Sequence, residues 1–131
     1  MAMDQNTPPE SDFAEMVESI LDSVWSLEVL LLLHNQAQRE WTTADLVTDL
    51  RSSELVVSQS IRSLVEAGLA VADNDGSIRY SPVSADLAAF VDRLEYEYRA
   101  RPTSVRRLIV GRSNSKLQSF SDAFVLRKPP K

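Results

Sequence analysis

The stretch Trp25-Ser26-Leu27-Glu28-Val29-Leu30-Leu31-Leu32-Leu33 constrains this chain more than any other. Just upstream, Phe13, Met16, Val17, Ile20, Leu21 and Val24 repeat at three and four residues, which sets one apolar stripe on a helix. From Trp25 onward the polar side is lost, because Leu27 and Val29 through Leu33 surround the helix with apolar groups. Such a helix belongs at the buried centre of a small domain. The apolar run Val29–Leu33 is far short of the roughly 18 to 20 residues that a membrane span needs. The spacing therefore predicts helix from about Asp12, where Asp12 and Glu15 have capping-box spacing, to the polar stretch Asn35–Arg39.

Composition narrows what packs around that centre. Three glycines and six prolines in 131 residues leave few turns, too few for a sandwich or barrel. With 44% hydrophobic and 25% charged residues, the composition is that of a folded globular domain. Without cysteine, disulfides, thiolate zinc sites and cysteine nucleophiles are excluded. A single histidine, His34, leaves little for metal or acid–base chemistry, and a buried helix end suggests that it is satisfied by the local dipole. The opening residues show no basic region ahead of an apolar stretch, so a soluble, cytoplasmic protein is expected.

Further along, Thr42 and Asp45 predict a capped helix carrying Leu46, Val47 and Leu50. Ser53 caps the next helix, which runs to Ala67, and Gly68 stands where a helix end needs a left-handed residue. Leu69–Ala72 and Ser77–Tyr80 read as strands joined by the turn Asp73-Asn74-Asp75-Gly76. After Pro82, Ser84 caps a helix with the stripe Leu87, Phe90, Val91, Leu94 and Tyr98. Pro102 interrupts it. Thr103 or Ser104 then caps a short helix through Val105, Leu108 and Ile109, ending at Gly111. The expected organisation is a polar lead over residues 1–10, a domain over 11–100 and a basic segment over 101–131.

Three helices, a two-stranded hairpin and a further helix follow the order of a winged helix-turn-helix. The stretch W-T-T-A-D-L-V-T-D-L, S-S-E-L-V-V-S-Q-S-I-R-S-L-V-E-A-G-L-A-V and D-N-D-G-S-I-R-Y, between Trp41 and Tyr80, resembles the MarR-type winged-helix transcriptional regulators. Its most specific part is Leu64-Val65-Glu66-Ala67-Gly68-Leu69, similar to the family's junction between recognition helix and wing. The fold class so implied is mainly α (α+β), a winged helix-turn-helix with a β-hairpin wing and additional N- and C-terminal helices. Val57, Ile61 and Leu64 share a face of the helix Ser53–Ala67 and would be buried. The resemblance implies that the opposite face enters the DNA major groove, with Glu54, Leu55, Ser58, Gln59 and Arg62 as base-reading candidates. Gln pairs with adenine, Arg forks onto guanine, Leu meets a thymine methyl and Glu accepts from cytosine.

Charge is distributed unevenly. Residues 1–98 carry five arginines against eighteen acidic residues, a net of −13, whereas residues 99–131 carry nine cations against Asp122, a net of +8. DNA binding draws most of its affinity from phosphate neutralisation. The phosphate candidates are Arg51 and Arg79 in the domain and Arg106, Arg107, Arg112, Lys116, Arg127 and Lys128 in the basic segment. The partners expected are duplex DNA and, since the outer stripes exceed what a three-helix core needs, a second copy in a homodimer. The alternative is a winged helix that acts as a protein-interaction adaptor through Leu55, Gln59 and the basic segment.

Other chemistry is not expected. Asp73-Asn74-Asp75-Gly76, set in a calcium-loop register, puts Val71 and Pro82 where carboxylates are required. Asp92 and Glu95 lie three apart beside arginines and read as solvated surface. No serine has a base, no Gly-rich phosphate loop is present, and no cofactor or enzymatic activity is anticipated. Trp25, Trp41, Phe90, Tyr96 and Tyr98 could line an effector pocket, but core and dimer packing is the simpler reading.

Overall fold

Serine and threonine side chains cap the N-termini of four of the helices in this chain. The structure, a computed structural model, describes residues 11–111. It contains α1 (Ser11–Ile20), α2 (Val24–Asn35), α3 (Thr43–Leu50), α4 (Glu54–Glu66), β1 (Ala70–Ala72), β2 (Ile78–Tyr80) and α5 (Ala85–Ala100). A further helix, α6, opens at residue 102 and is still helical at 111.

The periodicity predicts one helix running through the apolar stretch, but the structure has two, α1 and α2. The first ends at Ile20, and Ser23 takes an extended conformation as the N-cap of α2, accepting from Ser26 N–H at 3.1 Å. The Ser26 hydroxyl donates to Asp22 Oδ1 at 2.7 Å. A Ser-x-x-Ser cap can satisfy orphan N–H groups in mid-pattern, and hydrophobic periodicity does not register it. As expected, α2 is the central element: Leu27, Val29, Leu30, Leu31 and Leu33 are buried, and it meets α3, α4, α5 and β2.

Thr42 and Asp45 form the reciprocal capping box on α3. That helix ends on Arg51 in the left-handed region, with Ser52 N–H donating to Val47 C=O at 3.1 Å. The equivalent position after α4 is Gly68, at φ +82°. There Gly68 N–H donates to Val65 C=O and Leu69 N–H to Leu64 C=O, the paired bonds of a Schellman end with Leu64 and Leu69 both buried. A Cβ on Gly68 would lie 2.8 Å from Cγ2 of the exposed Val83, so that side chain would have to turn away, and the positive φ is what chiefly favours glycine here. Arg51 has no such relief. Because a left-handed non-glycine residue costs on the order of 1 kcal/mol, Arg51→Gly should raise the urea midpoint by the equivalent of about 0.5–1 kcal/mol.

β1 and β2 pair antiparallel, with Val71 opposite Arg79, and the hairpin turns through Gly76 at φ +89°. A contact that periodicity does not register joins it to the body. Trp41 and Ile78 exchange both backbone hydrogen bonds at 2.7 Å, so the residue before the α3 cap acts as a third short strand.

Ser84 caps α5, and Phe90, Val91 and Leu94 bury its inner face as expected. Pro102, rather than Thr103 or Ser104, opens α6, since a missing N–H costs nothing at the first helical position. Arg101 alone separates α5 from α6. Val105 and Ile109 of α6 join the same core as α2, so the core extends past residue 100. α1 packs Phe13 against Phe90 at 5.8 Å between ring centroids, with Val17 and Leu21 fully buried. The two outer stripes are thus largely covered by each other and by the core.

Candidate nucleic-acid interface

α4 is held by one face and free on the other. Val57, Ser60, Ile61 and Leu64 are buried, while Glu54, Leu55, Ser58, Gln59, Arg62 and Glu66 are exposed. All five base-reading candidates therefore lie on the solvent side, at steps of one, three and four that place them on one surface. Leu55 is 67% exposed, an unusual position for a large apolar side chain. Val65, at the far end, is partly exposed as well.

The cations around this face are few. Among the described residues, neither Arg51 nor Arg62 has an ion-pair partner. Arg79 differs: its Nε lies 3.9 Å from Asp73 Oδ2. The hairpin tip is acidic, and Ser77 binds it internally, its hydroxyl 2.7 Å from Asp75 Oδ1 and its N–H donating to the same atom at 3.0 Å. Those bonds from Ser77 hold the Asp75 carboxyl below the usual carboxylate range. Arg106 and Arg107 are exposed on α6, and the Arg106 guanidinium lies 5.3 Å from the Tyr98 ring centroid of α5. Arg112, Lys116, Arg127 and Lys128 lie outside the described residues.

A second polar cluster sits between α2 and α5. His34 Nε2 lies 3.0 Å from Asp92 Oδ1 and Nδ1 2.6 Å from Glu95 Oε1, and its ring meets Tyr80 edge-on at 5.1 Å. His34 is therefore held by a contact from α5, Asp92 on Nε2, while Glu95 lies close to Nδ1 without hydrogen-bond geometry. Glu95 also pairs with Arg99 at 2.6 Å, so it is a half-buried structural group and not solvated surface; Asp92 remains exposed. Next to it Tyr98 donates to Glu28 Oε2 at 2.9 Å, and burial, followed by that carboxylate, pushes the Tyr98 phenol up. Tyr80 is pushed up by burial and then by Asp92. Nothing in sequence spacing marks this cluster, because the contacts that join α2 to α5, His34–Asp92 and Glu28–Tyr98, span 58 and 70 residues.

The five aromatic residues do not converge on a single cavity. Trp41 and Phe90 are core, Trp25 and Tyr96 are exposed, and Tyr98 alone borders the cavity of about 240 Å³ between α2, α3 and α5. Packing accounts for Trp41 and Phe90 in the core and for Tyr98 against its edge, but not for the exposed Trp25 and Tyr96.

Fold and surface together define a mainly helical domain of winged-helix type, with a hairpin beside a helix whose outer face is unoccupied. Comparison with family models, with curated proteins and with solved structures returned no match. Among the described residues, no helix is long and apolar enough to cross a membrane.

Proposed function

We propose that this chain binds duplex DNA through the outer face of α4, as a transcriptional regulator of MarR-like type, with the hairpin as its wing. The observation that carries the reading is the face itself. Leu55, Ser58, Gln59 and Arg62 are exposed on a helix whose back is locked into the core by Val57, Ile61 and Leu64. A major groove accepts a helix of this width, and these side chains match base edges. Glu54, also exposed, is the candidate for cytosine and works against phosphate.

Two uncommitted cations are a small electrostatic footprint. Arg79 would have to leave Asp73 to reach a phosphate. The remaining phosphate contacts come from the basic segment, with Arg106 and Arg107 on α6 and Arg112, Lys116, Arg127 and Lys128 beyond it. A homodimer would present two α4 faces to half-sites one turn apart. Its contact would draw on exposed apolar groups such as Tyr96 and Val110, since the outer stripes are spent within the subunit.

Fluorescence anisotropy of a labelled duplex, from low to physiological salt, tests the reading. Binding should weaken steeply with salt, and Arg62→Glu should weaken it at least about tenfold, or ~1.4 kcal/mol. Unchanged affinity in that variant would mean that α4 is the wrong helix. A second reading, a winged helix used as a protein adaptor, is favoured by the exposure of Leu55 between Glu54 and the acidic end of α4. It predicts no duplex binding even at low salt.

A further inference from the structure

Between α1 and α5 runs a groove of about 380 Å³. Its floor is apolar, built by Phe13, Met16, Ala89 and Phe90, and its rim carries Asp12 and Asp86. Asp12 and Met16 also border a second hollow along α1 that reaches Glu15 and Ser19, so the acidic rim continues outward. None of Asp12, Glu15 and Asp86 forms an ion pair among the described residues. The cation beside the groove, Arg93, is engaged: its Nε is 3.1 Å from Glu97 Oε2 and its guanidinium lies 4.8 Å from the Phe13 ring centroid. The groove is therefore an apolar slot lined by two unpaired carboxylates and one engaged cation, with a net negative edge.

One segment of the chain has the complementary chemistry. Residues 112–131 carry Arg112, Lys116, Arg127, Lys128 and Lys131 against Asp122, a net of +4. Their apolar residues include Leu117, Phe120 and Phe124, spaced by three and four. We propose that the groove between α1 and α5 is the docking site of residues 112–131 of the same chain. Phe120 and Phe124 supply the apolar anchors, and the flanking cations face Asp12, Glu15 and Asp86. Reach is no obstacle, because twenty residues extend up to about 65 Å and a body of this size has a radius of gyration of only about 13 Å. Docking occupies the cations that the DNA reading assigns to phosphate, so groove and duplex compete for one segment. The docking itself does not depend on DNA binding.

The absence of cysteine allows a clean test on the full chain. A nitroxide attached through Ser119→Cys should broaden the backbone amides of α1 and α5 around Met16 and Ala89 by more than half their intensity. The α4 amides should keep theirs. Combining Asp12→Lys with Asp86→Lys, both exposed positions, should abolish the broadening while leaving the rest of the spectrum in place. No broadening at α1 and α5, or equal broadening in the reversed variant, overturns the proposal. Mixing isotope-labelled chains that lack the nitroxide with unlabelled chains that carry it tests the same-chain assignment. Broadening in that mixture means that a second copy's segment fills the groove, and the assignment fails. Duplex DNA should relieve the broadening if the α4 reading holds; persistence would count against that reading and leave the docking intact.

Discussion

Trp41→Ala is expected to lower stability by about 3–5 kcal/mol, the range for deleting a large aromatic side chain from a packed core. Such a loss is a large part of the roughly 5–15 kcal/mol that holds a domain of this size folded. Trp41 is fully buried, its backbone pairs with Ile78 on both sides, and Arg39 lies 3.6 Å over its ring. The residue thus joins the hairpin, the start of α3 and the core at one point. Trp41→Phe should be far milder. Its indole Nε1 is buried without a hydrogen-bond partner in the structure, so the phenyl ring removes an unsatisfied donor along with some volume. Urea titration of both variants checks this, and equal losses would show that contacts specific to the indole, not filled ring volume, hold this point together.

The second large effect is expected at Glu97. It is 4% exposed, with Arg93 Nε 3.1 Å from one carboxylate oxygen and Arg101 Nη1 2.6 Å from the other. Removing one member of a buried ionic group costs more than the group contributes, because its partners are left desolvated. Both arginines keep some contact with solvent, which moderates the penalty. Glu97→Ala should therefore cost about 2–3 kcal/mol. Adding Arg101→Leu to Glu97→Leu should recover part of that loss, since an apolar replacement needs no counter-charge. A double-mutant cycle read by urea unfolding measures the coupling. Purely additive losses would mean that the clamp at the C-terminal end of α5 is incidental.

How far such features can be read in the chain depends on the distance over which they are specified. Thr42–Asp45, Ser53, Ser84 and the Gly68 end are local devices: a side chain three residues from a backbone group, or a residue type that alone tolerates positive φ. The solvent face of α4 was equally legible, because a helix buries Val57, Ile61 and Leu64 only by turning Leu55, Gln59 and Arg62 outward. The break at Leu21–Ser23 was missed because apolar periodicity runs straight through it, and the cap that ends it is polar and short. Arg51 gave no sign of a left-handed end, since no glycine marks it.

The Thr42, Ser53 and Ser84 caps, the inward faces and the succession from α3 to α5 were legible in the chain, because backbone hydrogen bonding and burial periodicity act over a few residues. Tertiary packing set the pairing of Trp41 with Ile78 and the approach of His34 to Asp92 and Glu95. It also decided that α1 and α5 leave a groove with an acidic rim. These are contacts between separate elements whose partners have no fixed spacing in the chain. They exist only once the apolar faces of α1, α2 and α5 have packed and set the distances between the polar groups beside them.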